Sequence, residues 1–353
     1  MITPVRLAPR VKRAVILAAA IAVAALCNVG PIGARVSAQP PLEVLHQRLM
    51  PIFDMAGVVF TDADEKTGRL VVGVLDRDVE GLVRARFAVL GVRSLDVDVV
   101  ETEPIFQVDS LRDSFRPAPA GVQIRYSNYV CSLGYNAKRN VGNSTVNGFV
   151  TASHCSTNQG AVDGTKYYQP LNQVDGELLG TETVDPAYKR KIAGCPPGRV
   201  CRSSDSNFVA LASGVPFVLG SIAQTNAPNN GSLDVVGSFS ITADGDISTA
   251  EGDTINKVGR TTGWGQGTLT RKCVNTGVSG SNIVLLCQNF VENANAQIVQ
   301  GGDSGSPVFK ITSGNSVTLV GNLWGGNTDG TLFVYSPIEQ TVEELGGVIT
   351  THP

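Results

Sequence analysis

Two short segments constrain this chain more than anything else in it. Gly301-Gly302-Asp303-Ser304-Gly305-Ser306-Pro307-Val308 sets a serine between glycines, and Phe149-Val150-Thr151-Ala152-Ser153-His154-Cys155 ends an apolar run on a histidine. A serine hydroxyl becomes a nucleophile when a base takes its proton, and imidazole is the side chain best matched to that task near neutral pH. The chain holds three histidines. His46 lies ahead of the glycine-rich region and His352 is the penultimate residue, which leaves His154 as the base for Ser304. The fold must bring together two segments far apart in sequence.

The two segments resemble the TAAHC and GDSGGP signatures of the chymotrypsin-like serine endopeptidases, with Ser153 and Ser306 each standing where the family has a small residue. Cys131-Ser132-Leu133-Gly134-Tyr135-Asn136, Gly148-Phe149-Val150 and Lys257-Val258-Gly259-Arg260-Thr261-Thr262-Gly263 are similar to the bacterial streptogrisin and α-lytic protease branch. The resemblance implies an all-β fold, a chymotrypsin-like double antiparallel β-barrel. It also implies hydrolysis of protein or peptide substrates through an acyl-enzyme, with no cofactor and no metal. From Gly121 onward, short runs of valine, threonine and isoleucine broken by glycine and asparagine read independently as antiparallel β-structure.

A catalytic histidine needs a buried carboxylate to orient it. Asp205, which opens the apolar stretch Phe208-Val209-Ala210-Leu211, matches the family's position; Asp185 is the rival, followed by Pro186 and a charged loop. By the same resemblance, the backbone amides of Gly302 and Ser304 form the oxyanion hole. Asp303 anchors the loop. In animal relatives that aspartate pairs with a freed N-terminus, but Gly121-Val122-Gln123-Ile124 departs from their start sequence, which puts such a switch in doubt. Leu323, Trp324 and Gly325 resemble the strand that pairs with extended peptide, although Trp324 also reads as a core aromatic. Ile298 stands where trypsin-like members carry a pocket aspartate, and no histidine is free for a glutamate pocket, so the expected pocket is apolar, with Phe333 and Tyr335 on its far wall.

Domain organisation follows from changes in texture. Residues 1–38 read as a secretory signal peptide, with Arg6, Arg10, Lys12 and Arg13 before an apolar stretch and Val36-Ser37-Ala38 at a cleavage site; a retained signal anchor is the alternative. Removing that leader takes Cys27 with it and leaves six cysteines, the even number of a disulfide framework in an exported chain. Six cysteines permit 15 pairings. Cys131 with Cys155 resembles the family's bridge at the histidine loop. Proximity favours Cys195 with Cys201 and Cys273 with Cys287.

Residues 39–116 carry no cysteine and read as a small α/β pro-region, with residues 117–353 as the peptidase domain. Leu70-Val71-Val72-Gly73-Val74-Leu75 reads as a strand, Asp78 as the cap of a helix bearing Val79, Leu82, Val83, Phe87 and Leu90, and Leu95, Val97 and Val99 as a second strand. The pattern is similar to the pro-domains of bacterial secreted proteases, with folding assistance and inhibition as the implied roles; an accessory domain is the other reading. Residues 114–120, with Pro117 and Pro119, read as a processing linker.

The net charge of −3 comes without a basic patch, so neither nucleic acid nor a stable membrane association is expected, and the enzyme is expected to be a secreted monomer. Asp244, Asp246 and Asp253 suggest calcium only weakly, since Gly245 and Gly252 make turns the simpler account. Asn143-Ser144-Thr145 and Asn230-Gly231-Ser232 are glycosylation sequons. A catalytically silent binding protein on the same fold, or an esterase with the same triad, are the alternatives.

Overall fold

The computed structural model describes residues 40–105, 109–171 and 177–353, so the leader and Cys27 lie outside the described residues. The chain divides into two compact units, Met1–Ile105 and Phe106–Pro353.

In the first unit Val58–Asp64 runs antiparallel to Arg69–Val74, which runs parallel to Val97–Glu101. A parallel pair needs a crossover, and the helix Glu80–Val89 lies between those two strands in sequence. Asp76, not Asp78, begins the helical segment, because its carboxylate accepts the Asp78 N–H. Val83 and Phe87 enter a core with Leu70, Val72 and Val97, while Leu82 lies on the solvent face. Leu95 is exposed on a short 3-10 turn, and the strand begins at Val97. The helix Leu42–Leu49 and the strand Val58–Asp64 had no expectation attached to them; Leu45 and Leu49 of that helix are buried.

The second unit is built from two sheets, in keeping with the expected all-β class. One is eight-stranded, in the order Val348–Thr350, Tyr135–Val141, Ser144–Thr151, Asn207–Leu211, Leu178–Val184, Lys166–Tyr168, Gln123–Tyr126, Tyr129–Ser132. Within the other, six strands form a closed ring. Thr254–Gly259 pairs with Gly263–Gly277, that with Ile283–Glu292, and that with Leu332–Pro337. Leu332–Pro337 then pairs with Ser316–Gly326, which pairs with Pro307–Ser313, and Pro307–Ser313 returns to Thr254–Gly259. Closure removes the exposed strand edges that an open sheet must otherwise protect. Ile255, Leu269, Val291, Val308, Val320 and Phe333 make an apolar cluster on strands of this ring.

The segment assigned to the pro-region's end packs with the second unit. Asp109–Ser110 pairs with Asp234–Asp244, and the Leu111 side chain is fully buried. Phe115 donates its N–H to Gln169 Oε1, and Ala118 and Ala120 are buried. Pro117 and Pro119 mark backbone that cannot donate to a ladder. That is compatible with a packed strap as well as with a solvated linker.

Three disulfides join Cys131 to Cys155, Cys195 to Cys201 and Cys273 to Cys287. The first ties Tyr129–Ser132 to the turn Ser153–Cys155. The third crosses the hairpin of Gly263–Gly277 and Ile283–Glu292.

Candidate active site

Ser304 sits in a turn whose shape depends on its glycines. Gly302 has φ +97° and Gly305 φ +89°, a region closed to most side chains. A Cβ on Gly305 would stand 2.1 Å from Thr151 Oγ1 and 2.4 Å from the Ser132 carbonyl oxygen. The turn is clamped to its neighbours: Gly305 N–H donates to the Leu323 carbonyl, Leu323 N–H to the Ser306 carbonyl, and Ser132 N–H to the Ser304 carbonyl. Asp303, Gly305 and Ser306 all spend their amides internally, whereas among the described residues the amides of Gly302 and Ser304 meet no acceptor.

Asp303 is fully buried beneath the turn. Oδ1 accepts the Thr261 and Thr262 amides at 2.9 and 3.2 Å. Oδ2 accepts Thr262 Oγ1 and the Gln300 amide, and lies 3.0 Å from Lys257 Nζ. A buried carboxylate is tolerable when its charge and lone pairs are matched in this way. Burial pulls the Lys257 pKa below its usual value, against the opposing pull of Asp303.

Both departures from the family motifs have partners. Ser306 Oγ donates to the Asp303 carbonyl at 2.6 Å, and the room for it comes from Gly259, where a Cβ would stand 2.2 Å from that hydroxyl oxygen. Ser153 Oγ donates to the Asp185 carboxylate at 2.8 Å. Asp185 also accepts the Gly160 amide and pairs with Arg202 Nη1 at 2.8 Å.

His154 lies on the 3-10 turn that follows Ser144–Thr151. Its Nδ1 is 2.5 Å from Asp205 Oδ2, and its backbone N–H donates to Oδ1 at 3.1 Å. Asp205 is 1% exposed. Of the two carboxylates weighed from sequence, Asp205 touches the imidazole, while Asp185 is engaged with Ser153, Gly160 and Arg202. Burial disfavours the imidazolium, but the adjacent Asp205 charge and hydrogen bond overcome it, so the His154 pKa is raised. Burial likewise opposes ionisation of Asp205, and the His154 charge and hydrogen bond carry its pKa below the usual carboxylate range.

The loop bearing Asp205 is fixed from behind by Glu344, on the helix Ile338–Leu345. Glu344 accepts the Ser203 and Ser204 amides, Ser204 Oγ and Arg202 Nε at 2.7–3.1 Å. Asp205 N–H itself donates to Ser336 Oγ at 3.0 Å.

Two adjoining cavities meet here. One, of about 550 Å³, is bordered by His154, Asp205, Trp324 and Gly325; the other, of about 150 Å³, by Ser304, Val299, Gln300 and Leu323. They share Gly325, Gly326 and Asn327. Three side chains expected at the pocket lie elsewhere. Ile298 is fully buried among Ile255, Leu269 and Val291, and its neighbours Val299 and Gln300 border the cavity instead. Phe333 and Tyr335 face the barrel core, because side chains alternate along a strand; Leu332 and Val334 are the cavity-facing pair. The Trp324 ring borders the larger cavity while its Nε1–H donates to Gln288 Oε1 at 2.8 Å. The three aspartates considered for calcium are occupied separately: Asp244 by Thr351, Asp246 by Tyr335, Asn289 and Lys272, and Asp253 by Lys310.

No family model and no curated protein matches this sequence. Among solved structures the chain is similar to Thermobifida fusca protease A, at 23% identity and a TM-score of 0.44, covering 66% of this chain and 98% of that one. Cellulomonas bogoriensis chymotrypsin aligns at 21% identity and a TM-score of 0.42, again over 66% and 98%. A Nocardiopsis protease gives 21% and 0.42 over 64% and 95%. These neighbours are bacterial proteases.

Sequence reasoning missed Lys257, Tyr188, Gln159 and Glu344. A signal existed for Lys257: with Asn256 it sits between Ile255 and Val258 on one short strand, where a buried cation needs a partner. Gln159 follows the histidine motif closely, Tyr188 lies in a loop and Glu344 on a helix, and nothing in their spacing links them to Asp205.

Proposed function

We propose that this protein is a secreted serine endopeptidase synthesised as a pre-pro-protein. Ser304 attacks the peptide carbonyl, His154 takes the hydroxyl proton and delivers it to the leaving amine, and Asp205 orients the imidazole. The amides of Gly302 and Ser304 receive the developing oxyanion, and water then hydrolyses the acyl-enzyme by the same steps in reverse. The observation that carries this reading is the buried Asp205 holding His154 Nδ1 beside a cleft whose serine turn leaves those two amides without acceptors among the described residues. The raised His154 pKa agrees with it, since the carboxylate stabilises the imidazolium as it forms.

Peptide substrate would lie along Leu323, Trp324 and Gly325, with its P1 side chain in the cavity of about 150 Å³. Among the described residues, none that borders that cavity is ionisable, so apolar P1 residues fit it. Export is supported by the three disulfides, which persist in oxidising compartments. The first unit would act as folding assistant and inhibitor. Since residues 109–120 are packed into the second unit, processing would fall before Asp109.

The test is hydrolysis of a mixed peptide library by the purified mature protein and by its Ser304→Ala variant. Turnover should fall about a million-fold in the variant, because triad members act as a unit. Near-normal hydrolysis by folded Ser304→Ala protein would refute the mechanism.

A further inference from the structure

The carboxylate of Asp205 has two hydrogen-bonding partners that belong to neither motif, Tyr188 and Gln159. Its Oδ1 accepts the His154 amide at 3.1 Å, Tyr188 Oη–H at 3.3 Å and Gln159 Nε2–H at 3.4 Å. Gln159 also donates to Tyr188 Oη at 2.8 Å. A phenol has one proton to give. With Gln159 as donor to the hydroxyl oxygen, that proton is left to point at Asp205. The three groups form a closed triangle in which each bond fixes the direction of the next.

The tyrosine is held by more than this triangle. Arg202 places its guanidinium carbon 5.1 Å from the ring centroid, while its own nitrogens are committed to Asp185, Glu344 and the Ser206 carbonyl. Gly160, at φ +79°, passes so close that a Cβ there would stand 2.5 Å from Tyr188 Cδ2. The next residue, Lys189, exchanges two backbone hydrogen bonds with Cys201, and Cys201 is tied to Cys195. A side chain closely approached by a glycine, stacked with a cation and anchored at its backbone by a stapled loop has little freedom to leave Asp205. Burial, followed by the Asp205 charge, pushes the Tyr188 pKa well above that of a free phenol, so it stays a donor throughout the neutral range.

We propose that Tyr188 is a positioning residue of the triad: its hydroxyl fixes the rotation of the Asp205 carboxylate and so the aim of the His154 ring. The proposal rests on the triad reading given above. Its effect should appear in the chemistry and not in substrate affinity, because Tyr188 borders neither cavity.

The experiment compares wild-type enzyme with Tyr188→Phe and Tyr188→Leu, all checked for folding by thermal unfolding. The charged groups around this phenol are Asp205, Arg202 and Asp185, and none is altered. Loss of one donor to a carboxylate leaves its charge more concentrated on the imidazolium. In Tyr188→Phe the acid limb of the kcat/KM profile should therefore move to higher pH. The low-field Nδ1 proton resonance of His154 should shift with it. Loss of one orienting hydrogen bond should lower kcat by about 3- to 10-fold with KM within about two-fold. Tyr188→Leu should show the same displaced limb. A folded Tyr188→Phe enzyme with wild-type kcat, pH profile and resonance would overturn the proposal while leaving the triad intact. Failure of the triad reading looks different: the wild-type protein itself would not hydrolyse peptides.

Discussion

Lys257 Nζ lies 3.0 Å from Asp303 Oδ2, and neither side chain reaches solvent. The anchor of the serine turn is therefore supplied from within the barrel, on the strand Thr254–Gly259, and requires no chain terminus to be freed. Replacing Lys257 with Met leaves a buried carboxylate without its cation. Breaking such a pair costs about 3–5 kcal/mol, so Lys257→Met should lose that much stability in urea unfolding. It should also lose most of its activity, since Asp303 holds the Gln300 amide and the loop carrying the proposed oxyanion donors. Wild-type stability in the variant would mean that the pair contributes nothing.

Glu182 makes stability depend on pH. It is 2% exposed, with Oε1 accepting Asn207 Nδ2–H and Oε2 the Asp163 amide. Burial first, then the nearby Asp185 and Asp163 charges, raises its pKa from 4.5 to about 7. The folded state thus holds this proton more tightly than the unfolded state does. The contribution is fully present below pH 4.5 and is lost as pH rises to about 7. Denaturant midpoints measured across that window should fall in wild type, and the fall should be smaller in Glu182→Gln. Parallel profiles for the two proteins would contradict this account.

On the proposed reading, specificity would follow from the smaller cavity. Val299 and Leu323 present apolar surface there, and Gln300 and Asn327 are uncharged. A buried P1 ammonium or guanidinium would have no counter-charge, a costly placement. Cleavage profiling should favour alanine, valine or leucine over lysine and arginine by about 100-fold or more in kcat/KM, equivalent to an unpaired charge. A preference for arginine would place the pocket elsewhere.

Maturation can be read directly. If residues 109–120 form part of the folded peptidase, N-terminal sequencing of secreted enzyme should begin before Asp109. A start at Pro117 would show that the strap is discarded. Barrels dominated by contacts distant in sequence fold slowly, so refolding of residues 106–353 should yield more active enzyme with residues 40–105 added in trans. Equal yields would remove the folding role.

The two motifs were legible because each needs specific residues at fixed neighbours: glycine where φ is positive, serine and histidine for the chemistry. The β class was legible from its short branched-chain runs. Strand parity was not. Leu332-Phe333-Val334-Tyr335 is apolar on both faces, so alternation alone could not say which pair meets the cavity. Ile298 lies one residue from Val299, which borders the cavity, on a segment outside any strand, so its distance from Ser304 in sequence did not say which side chain faces inward. Residues 114–120 looked like a linker because prolines signal only missing donors. Tyr188 was invisible because its partner lies 17 residues away across a loop whose course depends on a disulfide and on Arg202.

The central claim is that Ser304 is a nucleophile activated by His154. Labelling with a fluorophosphonate probe, followed by mass mapping of the adduct, tests it most directly. The wild-type enzyme should acquire one adduct, on Ser304, with labelling abolished in Ser304→Ala and strongly slowed in His154→Ala. Folded wild-type enzyme that remains unlabelled, or carries its adduct on another residue, would contradict the account.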